Sequence, residues 1–150
     1  MHPAIATTLI VLGLVGLYWF MLTSYVSIVL HRVIAHRAFS LPRWYCLAVT
    51  ALSNSFIIYV NPRVWVAEHR LHHAHSDDGR DPDKRPGDGF LAWAWYLATR
   101  SPKASEPHLV QVSRDKIFDT RVMRWYSSPW GKWTSEATGF VVPYLALREV

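Results

Sequence analysis

Five of the eight histidines fall into two groups whose spacing suits metal ligation. His31 and His36 stand five positions apart in HRVIAHR, and His69, His72 and His73 form H-x2-H-H in HRLHHAHSD, with His75 close behind. At about 100° per residue, His72 lies about 60° behind His69 and His73 about 40° ahead, so the three imidazoles share an arc of about 100° on one helix face. His31 and His36 are about 140° apart on a regular helix, so both reach one ion only by straddling it or if the helix loosens between them. His75, about 120° from His69, is the poorer candidate, while His2 and His108 stand alone. A single histidine near a membrane is ordinarily a surface residue, and HH pairs arise by chance. Five in two groups, each directly after an apolar run, are harder to dismiss. Neutral imidazole binds zinc, copper and iron, and a face of imidazoles without thiolate points to a transition metal, iron or copper as readily as zinc.

The elements that must carry these residues are helical. All 16 basic and 11 acidic side chains lie from Arg32 onward. Pro3 to Leu30 is uncharged and, as a helix, about 42 Å long against a hydrocarbon core of about 30 Å. It reads as a transmembrane helix rather than a signal peptide, because it lacks a basic start, is too long and is followed by no small-residue cleavage site. Every Lys and Arg follows it, which puts that side, and the histidines, on the cytoplasmic face. A second apolar run, Trp44 to Val60, is at the lower limit for a span, and Ser53-Asn54-Ser55 is a turn signal in its middle. Both histidine groups must lie on one side of the membrane to share a metal, so residues 44–60 read as a re-entrant or interfacial hairpin that does not cross. Residues 61–128 form a cytosolic part: a solvated loop from Ser76 to Gly89, a short interface helix from Phe90 to Thr99, and an amphipathic helix over Ile117 to Trp125. From Trp130 the tail carries Lys132, Glu136, Arg148 and Glu149, too much charge for a clean second span. The expected architecture is a single all-α, membrane-embedded domain.

Composition narrows the function classes. At 51% apolar and 18% charged the chain is not disordered. The net charge of +5 forms no stripe and follows a span, so it reads as positive-inside excess rather than nucleic-acid binding. Cys46, the lone cysteine, excludes an internal disulfide framework. Eight Trp and seven Tyr suit membrane–water interfaces. Arg80, Lys84, Arg85, Arg100 and Lys103 read either as attraction for an anionic head group or as positive-inside charge.

The two histidine segments resemble the first and second histidine boxes of the membrane fatty-acid desaturases of the acyl-CoA and acyl-lipid delta-9 type. Trp65, Ser76-Asp77, Asp81-Pro82 and Gly89-Phe90 follow the family's order. The resemblance implies a non-haem di-iron site with His31, His36, His69, His72 and His73 as ligands. It also implies O2-dependent insertion of a double bond into a fatty acyl chain carried on CoA, a lipid or a carrier, with electrons from an external reductase chain through an electron-transfer protein. Three features depart from the family: no third H-x2-H-H box follows His75, Trp130 to Val150 has no counterpart of the later pair of membrane helices, and Asp83 stands where histidine is usual. The chain therefore reads as the N-terminal half of such an enzyme, whether fragment, split subunit or degenerate copy, with a second chain or oligomer as a route to completing the site. Rival readings are a related membrane di-iron hydroxylase, or a non-catalytic metal-binding remnant or accessory membrane protein.

Overall fold

The uncharged N-terminal run folds as one rod. The computed structural model describes residues 2–76, 78–81, 91 and 106–148. Helix α1 (Pro3–Leu22) continues without a break into a π-helical stretch, Thr23–Ala35. There follow α2 (Arg43–Phe56), α3 (Pro62–Ala74), α4 (Glu106–Ser113), a 3-10 turn (Lys116–Asp119), α5 (Arg121–Tyr126) and α6 (Pro129–Arg148). No β-strand occurs among the described residues. The rod changes character along its length. Leu9, Ile10, Leu12, Leu17, Trp19 and Phe20 are each more than half exposed, whereas Ser24, Tyr25, Val29, Leu30 and Ile34 are buried. Ile5–Ala35 is the one helix among the described residues long and apolar enough to cross a membrane.

The core gathers around the π-helical stretch. Tyr25, Val29, Leu30 and Ile34 pack with Cys46 and Val49 of α2, Val66 and Ala67 of α3, Val112 of α4, and Phe118 and Met123. Helix α2 runs back along the rod, since Ser53 Oγ donates to Met21 C=O (3.4 Å). The chain then turns over residues 57–61 and α3 returns to the histidine end. Its start is set by Asn61, whose side chain accepts from Arg63 and Val64 N–H (both 3.1 Å), with Pro62 in the first turn.

Two sequence expectations are corrected. Ser53-Asn54-Ser55 does not turn the chain; α2 runs through it to Phe56 and the turn comes after. The reason is burial of the polar groups in pairs. Asn54 Nδ2 donates to Tyr25 Oη (2.8 Å), Tyr25 Oη donates to Val60 C=O (3.1 Å), and Val60 N–H donates to Asn54 Oδ1 (2.7 Å). Asn54 thus closes the hairpin from inside the helix. The segment Ile117 to Trp125 is likewise not one helix: Thr120 is extended, caps α5 by accepting from Met123 N–H (3.3 Å), and separates it from the 3-10 turn. The expected interface helix at Phe90 to Thr99, Leu91 apart, and the loop beyond Asp81 lie outside the described residues.

Candidate metal centre

The first histidine pair converges because the helix widens beneath it. Across the π-helical stretch the backbone bond spans five residues: His36 N–H donates to His31 C=O (2.9 Å). Residues five apart then lie one turn above each other, so H-x4-H presents both rings on one side, with centroids 4.7 Å apart. The loosening that a regular helix would need is thus built into the rod. Arg37, at φ 53°, ends it in the left-handed region, and Ala38 N–H reaches back to Arg32 C=O (2.9 Å).

Helix α3 supplies the second pair. His69 and His73 are one turn apart with ring centroids 4.7 Å apart. Across the two elements His31 faces His69 at 4.5 Å, His36 faces His73 at 4.6 Å, and the Nε2 atoms of His36 and His69 stand 3.1 Å apart. One ligand nitrogen from each of His31, His36, His69 and His73 lies within 4.8 Å of all the others. Two nitrogens bound about 2.1 Å from one ion at a right angle stand about 3.0 Å apart, so the closest pair fits a shared ion. The donor set, imidazole alone, suits iron, copper or zinc.

The other expected site residue, His72, stands beside this group of four rather than in it. Its ring is 5.4 Å from that of His73 and 6.2 Å from that of His69, and its Nδ1 is 2.8 Å from Oδ1 of the buried Asp81. An imidazole that gives Nδ1–H to a carboxylate is held in the tautomer that ligates through Nε2. His75 lies away from the cluster, 3.4 Å from Asp78, and lines a cavity of about 290 Å³ with Arg70 and His108. Neither His75 nor His108 joins the four.

The surroundings keep the cluster ready for a cation. Trp65 stacks on His69 with ring centroids 4.8 Å apart and planes 9° from parallel. Burial, then the imidazoles of His31, His73, His36 and His72, pushes the His69 pKa down to about 4. His69 is therefore neutral near pH 7, with a lone pair to offer. One residue outside both boxes is engaged with them. Asp115 accepts from Arg70 Nη2 (2.8 Å) and from Arg37 Nη2, while Arg70 also donates to Ile34 C=O (2.8 Å) and Ala35 C=O (3.2 Å). No spacing signal marks Asp115, because it lies 45 residues from Arg70 in the chain.

Comparison with known proteins agrees with the geometry. The sequence profile described as fatty acid desaturase matches residues 6–150. The chain belongs to the fatty acid desaturase family. It is 33% identical over 105 residues to a chloroplastic palmitoyl-monogalactosyldiacylglycerol delta-7 desaturase of Arabidopsis thaliana, covering 67% of this chain and 25% of that protein. It is 29% identical over 106 residues to an sn-1 stearoyl-lipid 9-desaturase of Anabaena variabilis, covering 68% and 38%, and 42% identical over 84 residues to Delta-9 acyl-lipid desaturase 2 of A. thaliana, covering 50% and 26%. No solved structure matches it. This desaturase-family chain thus spans between a quarter and two-fifths of the length of these relatives.

Proposed function

We propose that the chain supplies the first two histidine boxes of an O2-dependent fatty acyl desaturase with a non-haem di-iron centre. The observation that carries this reading is the convergence of His31, His36, His69 and His73 from two separate elements. On it, His31, His36, His69, His72 and His73 hold the metal, with Asp81 orienting His72. Iron with O2, when bound, supplies the oxidant needed to break unactivated C–H bonds, which no side chain provides. The chain's own part is ligation and fixed spacing of the rings, with Trp65 stacked on His69. Electrons come from a separate electron-transfer protein. The acyl chain is carried on a lipid in preference to CoA or a carrier protein, a choice supported by the lipid substrates in the relatives' names. Five histidines are too few to complete two irons, so the remaining donors come from outside these 150 residues, from further polypeptide, a second chain or an oligomer contact. The isolated chain accordingly desaturates poorly or not at all.

In the membrane, Pro3 to Leu30 provides the span, and its α-helical part, Pro3–Leu22, alone measures about 30 Å, the thickness of the hydrocarbon layer. The α2–α3 hairpin lies at the interface without crossing, with the histidines on the cytoplasmic face. Cysteines placed at Ser40 and Ser76, both exposed, should label from the same side, Cys46 being buried. Labelling from opposite sides would remove the shared site.

The test of the site is bound iron in the purified, lipid-reconstituted chain. His31→Ala, His36→Ala, His69→Ala, His72→Ala and His73→Ala should each lower it, while His2→Ala and His108→Ala should not. Equal loss at His108, or no iron in the wild type, would overturn the assignment.

A further inference from the structure

We infer that Asp115 is a positioning residue for the metal centre: its carboxylate clasps Arg37 and Arg70 and so sets the spacing between the His31/His36 pair and the His69/His73 pair. The inference rests on the metal-site reading above and concerns what holds the two halves in register. Between His36 and His69 the chain leaves the centre, runs down α2 and returns along α3, so covalent connection alone fixes the two pairs loosely. Arg70, next in sequence to His69, bridges them directly. Its guanidinium donates to Ile34 and Ala35 C=O, carbonyls of the final turn of the rod, where a helix leaves acceptors without intrahelical partners. Ala35 immediately precedes His36. Asp115 then takes the same guanidinium on Oδ2 and takes Arg37, immediately after His36, on Oδ1. Every contact lands on a residue adjoining a ligand or one turn from it.

A single shared charge makes the clasp. Two guanidiniums, one from each ligand-bearing element, face a single carboxylate that is 14% exposed. Without that charge the two guanidiniums lose the counter-ion they share, and with it the link between the two ligand-bearing elements. An ion pair on an open surface contributes about 0–1 kcal/mol and fixes little. Here Arg70 is 25% exposed and bound at three acceptors, which removes its freedom to follow the solvent. Partners that orient metal ligands through hydrogen bonds typically change affinity by about 10- to 100-fold when removed. Asp115 acts through Arg37 and Arg70 rather than on a ligand, so the lower part of that range is expected.

The experiment uses Co2+ as the probe, titrated into the full chain in lipid nanodiscs well below its unfolding temperature, with affinity and the cobalt ligand-field spectrum as readouts. Asp115→Asn keeps the shape and removes the charge. It should weaken Co2+ binding about 10-fold and change the spectrum, and Asp115→Glu should recover part of both. Arg37→Gln removes one arm of the clasp from the exposed side, and should give a smaller loss with the same spectral change. Wild-type affinity and spectrum in folded Asp115→Asn, even with a lowered Tm, would mean that the clasp only stabilises the fold, and the inference fails. Should Asp115→Asn not fold, wild-type behaviour of Arg37→Gln overturns it equally. A wild-type chain that binds no Co2+ refutes the metal site itself, a result separate from unaltered binding in the variants.

Discussion

Replacing Asn54 should destabilise the chain more than any surface substitution, although Asn54 touches no histidine. Its side chain is 1% exposed and makes two bonds, accepting from Val60 N–H and donating to Tyr25 Oη. Alanine leaves the Val60 N–H without its acceptor, a loss of about 1–3 kcal/mol for a buried donor, and removes a second bond with a net contribution of about 1 kcal/mol. The first figure belongs near its lower end, because the Val60 backbone is only part-buried. The expected total is about 2–3 kcal/mol. Tyr25→Phe removes the bond to Val60 C=O and the acceptor for Asn54, and should cost about 1–2 kcal/mol. Both variants break the Tyr25–Asn54 bond, so the double variant should cost less than the two singles together by at least about 0.5 kcal/mol. Equilibrium unfolding in micelles, followed by circular dichroism, measures all three. The same network fixes where the turn ends and α3 begins, so Asn54→Ala should also weaken metal binding. An Asn54→Ala chain within about 0.5 kcal/mol of the wild type, or strict additivity in the cycle, would refute this account of the hairpin.

Three further predictions concern the centre and the packing of α6. With the His69 pKa pushed down to about 4 from an ordinary 6.5, the unfolded chain takes up the proton first. The metal-free protein therefore has the full contribution of neutral His69 above pH 6.5 and loses it as pH falls toward 4. His69→Gln should flatten that part of the stability–pH curve; an unchanged slope would assign it to another group. At Gly131 a Cβ would meet Trp125 C=O and come within 2.6 Å of Tyr126 Cα, so Gly131→Ala must push α6 off the end of α5, at a cost of about 1–3 kcal/mol. Gly139→Ala, where nothing lies within 4 Å of the added methyl, should leave thermal unfolding unchanged or raise its midpoint.

Much of this protein follows from residue type and order alone. An uncharged run of sufficient length must form a helix in or against an apolar phase, because only a helix satisfies its backbone within the segment. H-x2-H-H places its residues on one face of α3 by the period of the helix. What sequence could not decide depends on partners distant in the chain. The period of 100° per residue sets His31 and His36 apart; they meet because the rod, packed against α2 and α3, is wound one residue wider over Thr23–Ala35. Ser53 and Asn54 look like a turn until Met21 C=O accepts from Ser53, and Tyr25 and Val60 supply the bonds of Asn54, so that both stay in a helix. His72 lies within the arc that the spacing allows, yet its ring is turned to Asp81 by a loop contact that no periodicity encodes. Asp115 carries no motif at all. Its significance arises only when the fold brings one carboxylate between two arginines from opposite halves of the site, because charge and hydrogen bonding act through space rather than along the chain.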